Sequence, residues 1–190
     1  MRRFFGFIAL VTVLAGFIGP KAHAQDTRIF GMVSVAPAIP VGDFGSDFST
    51  GWEVAAGVGT ALRSSPVELR LTASYGYFKE SGVGGVSKPL GLSGDALYRF
   101  GSPSAKVRPY LLGGLGFYSV KYSLDYSTAY GTGSGSGLSE TDNGFSYGAG
   151  GGVTVRAGVV SLFAEGRYTA IPSSGHSHVP LRLGVRLGRA

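Results

Sequence analysis

The chain contains no cysteine. An exported domain without disulfides has to hold itself by packing and hydrogen bonding, or by a membrane. Beyond its first two dozen residues no stretch approaches the roughly 18 consecutive apolar residues that a transmembrane helix needs, so a helical membrane protein is excluded. Charged residues make up only 15% of the chain, and histidine is confined to His23, His176 and His178. That shortage leaves little from which to build nucleophilic catalysis, which needs a base and an orienting acid around a serine.

What the chain has first is an export signal. Arg2 and Arg3 precede an apolar run from Phe4 to Ile18, and Ala22-His23-Ala24 is a small-x-small cleavage site before Gln25. The arrangement is that of a cleavable signal peptide over residues 1–24, leaving a domain of residues 25–190 and removing His23. Without Arg2, Arg3 and Lys21 the formal net charge falls from +6 to +3. The basic balance thus belongs partly to the signal, and no nucleic-acid partner is expected.

What the chain has next is alternation. In Gly144–Ile171, Phe145, Tyr147, Ala149, Gly151, Val153 and Val155 share one parity and mostly glycine, serine and Arg156 share the other. Period-two alternation marks strands with chemically different faces. Eight such segments can be read: about Arg28–Pro37, Gly51–Arg63, Val67–Tyr77, Lys88–Phe100, Val107–Tyr126, Gly144–Arg156, Val159–Ile171 and Val179–Gly188. The faces of the first, and of the lower half of the fifth, stay unassigned, because apolar residues fall on both parities there. Pairing like faces predicts an Ala157-Gly158 hairpin loop with Arg156 opposite Val159, Tyr147 beside Tyr168, and Phe163 opposite Gly152. The same rule predicts a direct Arg63–Glu68 ion pair. Connections alternate long and short along the chain. The fold expected is therefore all-β: an eight-stranded antiparallel up-and-down transmembrane barrel.

Alternation alone does not separate this from a soluble, lipocalin-like periplasmic carrier with an apolar interior. Aromatic placement does. Trp52, Tyr75, Tyr77, Tyr118, Phe145, Tyr147 and Tyr168 gather toward the long-loop end, Tyr98 and Phe100 toward the turn end, and aliphatic residues lie between. Two aromatic girdles around an aliphatic band match the two interfaces of a bilayer. The opposite face then lines the lumen, which carries the structural charges Glu53, Arg63, Glu68, Arg70, Asp95, Arg99, Glu165, Arg167, Arg182 and Arg186. Arg156 shares that parity. A barrel of eight strands has room for side chains but not for an aqueous channel, so these charges must pair or reach the rims.

Several short stretches resemble the small eight-stranded outer-membrane barrel family, OmpA/OmpX-like. They are Gly42-Asp43-Phe44, Arg108-Pro109-Tyr110, Gly148-Ala149-Gly150, Glu165-Gly166-Arg167-Tyr168, and Val179-Pro180-Leu181 with Gly184-Val185-Arg186-Leu187. The resemblance runs over essentially all of Gln25–Ala190 and implies an outer-membrane location, surrounding lipid as partner, handling by the barrel-insertion machinery, and a monomer. Family members end on an aromatic residue that this machinery reads, whereas this chain ends Leu187-Gly188-Arg189-Ala190. The family includes lipid-modifying enzymes, hydrolases and acyltransferases, which remain the alternative. His176 and His178 have no acid near them in sequence and lack a third ligand for a metal, so no catalytic, cofactor or metal residues are assigned. The expected role is non-enzymatic: envelope structure, or contact with another surface through the long loops. The candidate contact segment is the upper fifth strand and its loop, with Tyr118, Tyr122, Leu124, Tyr126 and Tyr130. Strand five keeps alternating there, and a projecting strand offers tyrosines and unpaired backbone.

Overall fold

The computed structural model describes residues 28–62, 65–81, 85–124 and 139–188. The predicted signal peptide, Arg63, Tyr126 and Tyr130 lie outside them. Eight strands form one closed antiparallel barrel in chain order: β1 (Arg28–Pro40), β2 (Gly51–Ala61), β3 (Val67–Lys79), β4 (Gly85–Arg99), β5 (Val107–Leu124), β6 (Ser139–Ala157), β7 (Val160–Ile171) and β8 (His176–Leu187). A five-residue helix, α1 (Asp43–Asp47), lies in the β1–β2 connection. The ring closes by β1 pairing with β8, Val33 opposite Val185 and Val35 opposite Leu183.

The burial pattern is inverted relative to a soluble protein. Leu115, Phe145 and Leu183 are 71%, 80% and 64% exposed, while Arg167, Arg182 and Thr169 are at most 1% exposed. Large apolar side chains on the outside around charged side chains on the inside suit a barrel solvated by lipid, and they rule out an apolar-cored carrier. Membrane crossing takes about 9–11 tilted residues per strand. β5 and β6 have 18 and 19 residues. Their paired ribbon runs up to Ser123 opposite Ser139, beyond the outward pair Phe117–Phe145.

The two hairpin registers differ from expectation by two residues. Ala157 pairs with Val160, so the loop is Gly158-Val159, with Gly158 at φ 67° where a side chain would be strained. Tyr147 consequently faces Ala170, Tyr168 faces Ala149, and Phe163 faces Thr154 rather than Gly152. The Phe163 ring instead covers Gly184 of β8, where an added Cβ would collide with it. Glu68 stands opposite Ala61, so it is not the directly paired residue of Arg63. A shift of two preserves every face, which is why parity alone could not detect it.

Strand β5 is a correction of face. Tyr118 and Val120 point inward, 2% and 0% exposed, whereas Leu111, Leu115 and Phe117 point to lipid. Tyr118 is therefore no part of the outer girdle; its hydroxyl lies 3.2 Å from Ser74 Oγ. The inward space it occupies is the one Gly91 leaves empty across the β4–β5 pair. In β1 the unassigned faces resolve with Phe30, Met32, Ser34, Ala36 and Ala38 inside.

Candidate functional site

The lumen is filled by side chains sent inward at alternate positions of all eight strands. Its centre is Glu165 of β7. The carboxylate accepts from Arg70 Nη1 at 2.6 Å and Nη2 at 3.1 Å, from Arg182 Nη1 at 3.1 Å, and from the Tyr110 hydroxyl at 3.0 Å. Arg70 also donates to Asp95 Oδ2, and Asp95 Oδ1 accepts from Arg167 Nη1 at 2.6 Å. Arg182 reaches on to Glu53, its Nε 2.9 Å from Oε1, and His178 Nε2 lies 3.3 Å from the other Glu53 oxygen. Three guanidinium groups and three carboxylates thus form one continuous chain, with His178 at its loop-side end.

Nearer the turns sits a second cluster. Arg186 donates to both oxygens of Glu68, at 2.7 and 3.1 Å, and its guanidinium carbon lies 3.5 Å from the centre of the Phe30 ring. Arg99 Nε is 2.8 Å from Glu68 Oε1 but is not aligned to hydrogen-bond it, while Arg99 Nη1 donates to Thr154. Glu53, Glu68, Arg70, Asp95, Arg99, Glu165, Arg167, Arg182 and Arg186 all have side chains at most 5% exposed. Isolated charges could not survive there; shared ones can, because each carboxylate serves two cations or a cation and another donor. Arg156 stays half-buried at the turn end and donates to the Pro103 carbonyl.

The interior is packed rather than hollow. A cavity of about 10 Å³ lies by Arg70, Arg99, Arg186, Tyr110, Met32 and Phe163, room for about one water molecule. At the loop end α1 lowers Phe44 into the mouth. The ring stacks on Phe48 at 4.4 Å, meets Phe78 edge-on at 5.2 Å, and lies 3.8 Å from His176 between centroids. His176 is fully buried with neither ring nitrogen bonded. A charged imidazole in that aromatic setting would be desolvated without an acceptor, so His176 behaves as a flat apolar wedge.

Sequence reasoning missed Tyr110, His178, Phe44 and Phe78 as parts of this plug. The parity of Tyr110 was the available signal, masked by Leu111 and Leu112 next to it. Of the contact candidates, Tyr122 is half-buried, packed against Tyr118, Val120 and Ile171, with its hydroxyl donating to the Ser174 carbonyl. Leu124 ends β5. Among the described residues no group of three or more His, Asp or Glu is arranged to hold a metal ion.

An eight-stranded closed ring with lipid-facing aliphatics, aromatic rims and a charge-sealed lumen defines a transmembrane barrel of the outer-membrane kind. The chain belongs to the outer membrane protein beta-barrel domain family, whose model matches residues 9–179. It is accordingly a protein of the outer membrane. Among solved structures it is similar to Neisserial surface protein A, with a TM-score of 0.60 and 21% identity over 84% of this chain and 96% of that one. It is similar as well to the N-terminal barrel domain of Pseudomonas aeruginosa OprF, with a TM-score of 0.50 and 18% identity over 86% and 99% of the two chains. Ail, the attachment invasion locus protein of Yersinia pestis, gives 0.56 and 14% over 87% and 100%. At these identities the likeness is one of fold. No curated protein matches the chain at a significant level.

Proposed function

We propose that the protein is a non-enzymatic barrel without an open pore that serves the envelope as a membrane-embedded support and presents its loop end to other surfaces. The observation that carries this reading is the sealed interior: two ion-paired layers through the lumen and Phe44 over its mouth leave no route for solute. The outward face of the described strands carries neither a histidine nor a carboxylate, and the two histidines lie inside, away from lipid substrates. That arrangement supports a structural role over hydrolase or acyltransferase chemistry. The projecting β5–β6 ribbon supports contact through Tyr122, Leu124, Tyr126, Tyr130 and the segment they frame, with Tyr118 set aside because it points into the barrel. Ail, an attachment protein by name, offers a precedent for contact on this fold. The partners proposed are surrounding lipid, the insertion machinery during assembly, and an external surface, with the barrel itself a monomer.

The test has two arms. Purified barrel in planar bilayers should give no steady conductance; a stable ohmic channel would overturn the sealed-lumen reading. Residues 124–138 can be replaced by Asn-Gly between the paired Ser123 and Ser139, a short hairpin loop that leaves the ribbon's pairing intact. Cells carrying that variant should keep a folded barrel and lose attachment to coated surfaces. Unchanged attachment would remove the contact role.

A further inference from the structure

The outer face of the projecting ribbon carries an arrangement that a bare sheet would disfavour. Lys88 of β4 and Lys121 of β5 are directly opposite each other in the antiparallel register. Both point outward, because their neighbours Ser87, Pro89 and Val120 are buried in the lumen. Like charges directly opposite repel and destabilise a strand pair. Lys79 of β3 is exposed on the same side. Among the described residues none of the three lysines has a carboxylate within ion-pair distance.

The acids of the ribbon are on its other side. Glu140 pairs with Tyr122 and Asp142 with Val120. Directly paired residues share a face, so these carboxylates project over the barrel axis with the inward set. Alternation has therefore segregated charge by sign, cations toward the surrounding bilayer and anions toward the mouth.

The cations continue the upper aromatic girdle. Trp52 pairs with Tyr77, and their rings stack at 5.9 Å. Lys88 Nζ lies 5.8 Å from the centre of the Tyr77 ring. Beyond Lys121 in the same row stands Thr141 of β6. Trp52, Tyr77, Lys88, Lys121 and Thr141 thus form one outward row across five strands. Its aromatic end suits the acyl–headgroup boundary, and its polar end stands at headgroup height or above.

We propose that Lys88 and Lys121, with Lys79 beside them, hold the phosphate group of an anionic lipid in the outward leaflet. One phosphate between the two ammonium groups would convert the repulsive pair into a bridged one. Lysine suits this role as a flexible point charge reaching a phosphate from a barrel wall. Thr141 supplies a hydroxyl at the edge of the same row.

The test uses the mature barrel in nanodiscs of zwitterionic lipid doped with diphosphorylated lipid A or with its dephosphorylated form, read by native mass spectrometry of the lipid retained on the released protein. Wild-type protein should retain the phosphorylated form selectively, and each of K88Q and K121Q should lower that selectivity about fivefold. K106Q, at the turn end, should leave it unchanged. In zwitterionic detergent at low salt, K121Q should unfold at the same or a higher denaturant concentration than wild type, since it relieves the repulsion. Equal retention of both lipid forms, or undiminished selectivity in the K88Q/K121Q variant, overturns the proposal. So does saturation of the site by inorganic phosphate at a concentration that displaces the lipid, which would make it a free-anion site. Replacement of residues 124–138 leaves both lysines in place, so loss of attachment and loss of lipid selectivity are separable.

Discussion

Arg70 of β3 and Glu165 of β7 meet across the full width of the barrel, Nη1 2.6 Å from Oε2, although three strands lie between them around the ring in either direction. The contact is a strut between opposite walls. It also joins the two halves of the upper network, since Arg70 touches Asp95 and Glu165 touches Arg182.

Removing the charge of this strut should be costly. Glu165→Gln leaves Arg70 and Arg182 short of a buried counter-charge and should destabilise the barrel by about 3–5 kcal/mol. Urea unfolding of refolded protein in detergent measures it. Paired with Arg70→Gln, the cycle should show strong non-additivity; additive effects would mean that the two residues do not act together.

The mouth should behave as an aromatic plug. Phe44→Ala should cost up to about 3–5 kcal/mol, as for other large-to-small changes in packed apolar sites. Amide exchange should quicken at the loop end and not at the turn end. His176→Phe, in contrast, removes a buried polar group that has no partner, and should be neutral or stabilising. A large loss on His176→Phe would show that an imidazole nitrogen is bonded in solution.

The Tyr118 ring lies where a Cβ on Gly91 would have to go. Gly91→Ala should therefore destabilise by about 1–3 kcal/mol through overpacking. Adding Tyr118→Ala should remove that increment, leaving only its own cost. If Gly91→Ala is harmless by itself, Tyr118 does not occupy the lumen at that level.

Protein folded in detergent should run differently on SDS gels before and after boiling, and cell fractionation should place it in the outer membrane. Identical mobility of folded material, with recovery from the soluble fraction, contradicts a lipid-solvated barrel.

The strand order and the sidedness of six strands, all but β1 and β5, could be read from the chain because β geometry converts sequence parity directly into space. Glu53, Asp95 and Arg182 are inside for that reason alone. Register could not be read: parity is blind to a slip of two, and at Gly158-Val159 the turn was settled by where the positive φ falls within the loop. Tyr118 and Val120 escaped parity because a narrow lumen accepts apolar side chains, Tyr118 over Gly91 and Val120 packed with Tyr118 and Ile171, so hydrophobicity stopped marking the lipid side. The individual ion pairs were illegible for another reason. Arg70 finds Glu165, and Arg186 finds Glu68, across the hollow of the ring rather than along a ladder.

Those cross-lumen pairs bear on how the chain assembles. Arg186 and Glu68 are 118 residues apart, Arg182 and Glu53 129, and Arg70 and Glu165 95. An open ribbon of β1 to β7 would hold Glu53 without Arg182 of β8, and Glu68 with Arg99 but without Arg186, as the ribbon leaves water for the bilayer. Closure of β1 on β8 and discharge of the interior are thus the same event. Partly wound intermediates should be scarce inside the membrane, and formation of the last seam should govern the rate, as long sequence separations already favour slow, late steps.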